Sequence, residues 1–155
     1  MSGLSGLMRF FSSFVKARAA SNAELVPEHL KTGVWGEQVA AEFLKHNGYK
    51  ILGQRVRIGT RDELDLVARD GDSLVFVEVK TRGSEVYGRP LSAVDRKKRH
   101  TLSRGAIRSL QRLKNPRVYF RFDVVEVIGH AEAATPPQIR HIRNAFPLDR
   151  RYTLP

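Results

Sequence analysis

The sequence predicts a single mixed α/β domain built on one central sheet, with elements in the order α-β-β-β-α-β. Three observations predict it. A stretch with a helical apolar arc ends at Gly48, two β-rich runs flank an Asp-Gly turn, and a long basic helical segment leads into a further β-rich run. The 155 residues suit one domain with short extensions, and 41% apolar content is enough to bury a core. The reading divides the chain into an extension (1–31), the domain proper (32–147) and a C-terminal tail (148–155).

In the extension, Leu4, Leu7, Met8, Phe11 and Val15 recur at helical spacing, with Arg9, Lys16 and Arg18 as charges. The segment reads as a poorly ordered tail or an amphipathic helix for docking. No apolar run approaches the ~20 residues that cross a bilayer, and Arg9 interrupts what would be a signal-peptide core. A cytoplasmic protein is expected.

Residues 35–47 read as a helix that Gly48 terminates. Residues 49–57 suggest a strand interrupted by Gly53. Next come ELDLVAR (63–69) and SLVFVEVK (73–80), a hairpin around Asp70-Gly71-Asp72. Ser92 and Asp95 have the spacing of a capping box opening a helix to about Lys114, which Asn115-Pro116 stops. RVYFRFDVVEVI (117–128) is a strong strand. Beyond Pro136-Pro137, residues 140–146 suggest a short edge strand.

The chain carries 27 Lys+Arg against 16 Asp+Glu, a formal charge of +11. Such an excess attracts polyanions, and nucleic acid is the commonest for a basic domain, with membrane and ribosome surfaces as competitors. There are no cysteines, which excludes disulfides, thiolate zinc sites and cysteine nucleophiles. The five histidines are scattered, so a metal here would be a hard ion held by oxygens.

Strand alternation assigns Leu64, Leu66 and Ala68 to one face and Val75, Val77 and Val79 to another. Matching these apolar faces gathers Glu63, Asp65, Glu78 and Lys80 on the opposite side. A turn at Asp70-Gly71 sets Glu63 opposite Glu78, and one at Gly71-Asp72 sets Asp65 there. Acids among apolar strands are costly without compensation. Mg²⁺ (or Mn²⁺) would compensate them, since it favours one or two carboxylates plus phosphate oxygens. Lys80 would then serve the nucleophile and steady developing negative charge. Glu37 lies at the edge of the first helix's apolar arc, where it either leans toward the sheet or pairs with an arginine.

Asp65 followed by Glu78-Val79-Lys80 resembles the PD-(D/E)xK nuclease signature, with Glu37 where many members carry a helical acid. GVWGEQVAAEFLKHNGYKIL, DELDLVARDGDSLVFVEVKTR, RFDVVEV and IRNAF together resemble the YraN-like family, a bacterial family related to Holliday-junction resolvases. The resemblance runs from about Gly33 to Phe146. It implies a restriction-endonuclease-like core with a metal site at Asp65, Glu78 and Glu37, and Lys80 as a further catalytic residue. Leu64 stands where the broader superfamily has proline before the motif Asp.

Between Arg96 and Arg121 there are ten Lys and Arg residues and no acid. Arg104, Arg108 and Arg112 form one ridge at i, i+4, i+8, a repulsion that a phosphate backbone would relieve. The apolar stripe of this helix is Val94, Leu102, Ala106, Leu110 and Leu113. The nucleic-acid surface expected from these charges comprises Lys97, Lys98, Arg104, Arg108 and Arg112, with Arg82 and Arg89 following Lys80 and Tyr87 available for stacking. Asp123 reads as a structural partner for Arg121 or Arg57. The expected activity is metal-dependent cleavage of DNA, in preference to RNA, on branched or otherwise structured substrates. The alternatives are a binding module of the same fold, or a basic protein docking on a ribosome or membrane. A homodimer follows only by analogy with resolvases.

Overall fold

The structure, a computed structural model, describes residues 6, 9–11, 27–83 and 94–152. Helix α1 spans Glu28–His46, followed by strands β1 (Lys50–Ile58), β2 (Asp62–Asp70) and β3 (Ser73–Arg82). Helix α2 spans Arg96–Arg112 and leads to β4 (Tyr119–Ile128) and β5 (Gln138–Phe146). The strands form one sheet in the order β1-β2-β3-β4-β5. Only β3 and β4 run parallel, joined through α2, and the other neighbours are antiparallel.

α1 starts well before residue 35, because the turn of chain after Pro27 is already helical. Its end matches the sequence reading: Gly48, at φ 85°, closes a Schellman motif in which Tyr49 N–H donates to Leu44 O and Gly48 N–H to Lys45 O. α2 starts later than the Ser92 spacing suggests. Asp95 itself is the N-cap, its Oδ1 accepting from Lys98 N–H at 2.7 Å. The expected short edge strand is a full nine residues, Gln138–Phe146.

Each helix covers one side of the sheet. Ala40, Ala41 and Leu44 of α1 pack on Leu66, Ala68, Val75, Val77 and Val125. On the other side, Leu102, Ala106, Ile107 and Leu110 of α2 pack on Leu64, Val67, Leu74, Phe76 and Phe122. Val94 and Leu113 join this second cluster, completing the expected stripe. Phe11 is fully buried there, and a Cβ on Gly53 would come within 3.3 Å of its Cβ. The extension thus contributes at least one core side chain. α1 lies closest to the sheet at Gly36, where any Cβ would collide with the Thr81 side chain. That contact brings the neighbouring Glu37 to the end of β3.

Among the described residues no helix is long and apolar enough to cross a membrane.

Candidate metal centre

The site forms where β2 and β3 part. Their ladder runs from Asp70↔Ser73 to Leu66↔Val77, so the turn is Gly71-Asp72, with Gly71 at φ 56°. Continuing that register places Asp65 opposite Glu78, which decides between the two alternatives left by the sequence. No backbone rung joins them. Instead, the Asp65 carboxylate replaces a carbonyl, its Oδ2 accepting from Val79 N–H at 2.9 Å.

The alternation of β2 breaks at this point. Leu64 belongs to the α2-side cluster and Leu66 to the α1-side cluster, so the expected common face of Leu64, Leu66 and Ala68 does not exist. Arg55 of β1, between the rungs Gln54↔Leu66 and Val56↔Leu64, faces Asp65 with a φ of 48°. A non-glycine residue in this left-handed region is sterically unfavourable, and no ladder rung forms between Arg55 and Asp65.

The fork makes Glu78 reachable from both sides of the sheet. From the α1 side opens a cavity of about 610 Å³ lined by Glu28, His29, Glu37, Asp65, Glu78 and Thr81, among others. From the α2 side come two ammonium groups: Lys80 Nζ is 3.2 Å from Glu78 Oε1, and Lys98 Nζ is 3.4 Å from Oε2. The geometry therefore brings Asp65, Glu78 and Glu37 to one cavity, while Lys80 meets Glu78 from behind instead of lining it. Glu63 stays apart, its Oε2 3.5 Å from Arg57 Nε.

Glu78 is 3% exposed. Burial pushes its carboxyl up, the adjacent Asp65 charge adds to this, and Lys98 and Lys80 oppose it. A hydrogen bond with the Asp65 carboxyl raises it further, and the result is about 7. Its Oε2 makes no hydrogen bond. Lys80 meets one Glu78 oxygen and Lys98 the other, yet Oε2 is buried without a hydrogen bond, beside a second carboxylate. That donor set fits a hard divalent cation with one or two carboxylates. Glu37 is held differently: its Oε2 accepts from Arg55 Nε at 2.6 Å and its Oε1 from Nη2 at 3.3 Å. Desolvation nevertheless raises its pKa above the ordinary carboxylate range, and Asp65 contributes to that rise. Both sequence readings of Glu37 hold at once, because it faces the cavity and pairs with an arginine. Among the described residues no three His, Asp or Glu side chains are grouped closely enough to enclose an ion, so the acid pair is the core of the site.

Several cations expected at a nucleic-acid surface have other partners. Arg104 Nη2 and Arg108 Nη1 lie 2.7 and 3.1 Å from the carboxylate of Asp62, whose side chain is wholly buried. Periodicity along α2 cannot reveal an acid delivered from β2. Arg82 Nε pairs with buried Glu126 Oε1 at 2.9 Å. Lys98 turns to Glu78, whereas Lys97 and Arg112 are exposed. Arg89 and Tyr87 lie outside the described residues. Asp123 is structural, as expected from Arg121, which lies 2.9 Å away, but His141 and the Asn144 N–H also bond it. Although burial works against it, those bonds hold the Asp123 carboxyl below its usual range.

A five-stranded mixed sheet, helices on both sides and this order of strands define a restriction-endonuclease-like α/β core. The chain belongs to the family described as "Uncharacterised protein family UPF0102", which matches residues 36–127. It is 43% identical over 123 residues to a UPF0102 protein of Syntrophus aciditrophicus, covering 78% of this chain and 92% of that one. A UPF0102 protein of Symbiobacterium thermophilum is 46% identical over 116 residues, covering 75% and 96%. One from Geobacter sulfurreducens is 43% identical over 116 residues, covering 75% and 88%.

Proposed function

We propose that this protein is a divalent-metal-dependent endonuclease that hydrolyses phosphodiester bonds in DNA. The observation that carries the reading is the pairing of buried Glu78 with part-buried Asp65 at the β2–β3 fork, open to a cavity on one side and backed by two lysines on the other. Asp65 and Glu78 are the residues that would hold Mg²⁺ or Mn²⁺, with Glu37 as a third oxygen donor if it leaves Arg55. When bound, such an ion polarises a phosphoryl group and lowers the pKa of an attacking water. Lys80 sits against the same carboxylate on the side away from the cavity, and its charge would help offset negative charge developing on the phosphate oxygens. The net charge of +11 supplies long-range attraction for a polyanionic substrate.

The test is cleavage of linear, flapped and four-way DNA, and of matched RNA, with Mg²⁺ or Mn²⁺ and Glu78→Ala as control. Metal-dependent cutting that Glu78→Ala abolishes is the expected result. Binding of all these substrates with no cutting under either ion would overturn the enzyme and leave a binding module.

A further inference from the structure

We propose that Lys98 occupies Glu78 as a stand-in cation and passes to a substrate phosphate when a divalent ion takes that carboxylate, so that α2 couples substrate binding to the acid pair. The inference rests on the function proposed above.

Two lysines from different elements reach one buried carboxylate. Lys80 belongs to β3, beside Glu78 on the same strand, and lies 3.2 Å from Oε1. Lys98 comes from the first turn of α2, and its side chain is 34% exposed. Its contact with Oε2, at 3.4 Å, is longer than the roughly 2.7–2.9 Å of a strong charge-assisted hydrogen bond, and Oε2 makes no hydrogen bond at all. This is a loose ion pair on a flexible four-carbon stem.

Charge counting gives the direction of exchange. Asp65 and Glu78 carry two negative charges at full ionisation, and Lys80 and Lys98 carry two positive ones, so the four side chains are neutral together. A divalent cation on the two acids leaves both ammonium groups without their counter-charge and repels them at short range. A phosphodiester at the site brings a new negative charge. Lys98 is suited to follow it because its backbone N–H is already anchored by Asp95 Oδ1 at 2.7 Å. Only its side chain needs to move. Lys97 and Arg112 are exposed on the same helix, so a phosphate strand tracking α2 leads to Lys98 and from there to Glu78.

The experiment uses the full chain and compares wild type with Lys98→Gln, Lys98→Arg and the neighbouring control Lys97→Gln. Mn²⁺ affinity is measured by calorimetry at a pH well above 7, where protons do not compete for Glu78. DNA affinity is measured with EDTA and with Ca²⁺, under conditions without turnover. Lys98→Gln should bind Mn²⁺ several-fold more tightly, on the order of tenfold for one removed adjacent charge. It should lose DNA affinity in Ca²⁺ but not in EDTA. Lys98→Arg should retain the wild-type pattern in DNA binding, and Lys97→Gln should weaken DNA binding equally in both conditions. Wild type that binds Mn²⁺ while Lys98→Gln changes neither its affinity nor the EDTA/Ca²⁺ contrast overturns this proposal alone. Wild type that binds no Mn²⁺ overturns the metal site and this proposal with it.

Discussion

Asp65 and Glu78 face each other across the open end of the β2–β3 hairpin, one position beyond the Leu66↔Val77 rung. Burial and the Asp65 charge raise Glu78 from 4.5 to about 7, so the folded state holds this proton more tightly than the unfolded chain does. The associated stability is fully present below about pH 4.5 and is lost as pH rises through about 7. The shift corresponds to roughly 3 kcal/mol at most. Glu78→Gln lacks the titration, so in EDTA its stability relative to wild type should increase between pH 4 and 8. Urea denaturation across that range measures the difference. A pH-independent difference would show that Glu78 does not titrate abnormally.

Asp62 is buried and gripped by Arg104 and Arg108. Removing Arg104 leaves that carboxylate with one half-exposed partner. Breaking a buried pair costs about 3–5 kcal/mol, and the remaining Arg108 places Arg104→Ala near or below the lower end. Arg112→Ala, at an exposed position, should stay within about 0.5 kcal/mol. Equal losses for the two variants in thermal or urea melts would mean that the Asp62 contacts contribute little.

The salt dependence of DNA binding should therefore respond to the exposed cations of α2 and not to the whole ridge. Neutralising Lys97 and Arg112 together should lower the slope of log K against log salt by about two, one for each phosphate no longer neutralised. Arg108→Gln should change that slope by no more than one, since Arg108 shares the single Asp62 charge with Arg104. A slope unchanged in the Lys97/Arg112 double variant would move the nucleic-acid surface off α2.

Local patterns made much of this molecule legible. Gly48, the Gly71-Asp72 turn and the alternation of Val75, Val77 and Val79 are short-range signals, and the structure uses each as such. The juxtaposition of Asp65 with Glu78 followed from hairpin register once the turn was decided. What stayed hidden depends on distant partners. Asp62 captures Arg104 from 42 residues away in sequence, and Lys98 reaches Glu78 of the central strand from a separate helix. The break in β2 facing lies opposite the positive φ of Arg55 on the neighbouring strand, which no pattern within β2 encodes. Phe11 read as part of a tail or docking helix, because its burial is against strand β1 near Gly53, distant in sequence.

The role of Glu37 rests on its bond with Arg55. Arg55 Nε donates to Glu37 Oε2 at 2.6 Å, and the Glu37 side chain is only 12% exposed. If Glu37 is a metal ligand, Arg55 competes with the ion for it, and Arg55→Gln should tighten Mn²⁺ binding several-fold. Glutamine occupies the same strained backbone position with much the same steric cost as arginine, so the comparison isolates the side chain. Removing a nearby positive charge would also tighten cation binding by long-range electrostatics alone. Salt separates the two causes, because at about 0.5 M the screening length is only a few ångström. A competition for ligand oxygens should persist there, whereas a purely electrostatic gain should largely vanish. Glu37→Gln supplies the converse, with weaker Mn²⁺ binding that high salt does not erase. If both variants bind Mn²⁺ as wild type does in high salt, Glu37 is a structural partner of Arg55, and Asp65 and Glu78 hold the ion without it.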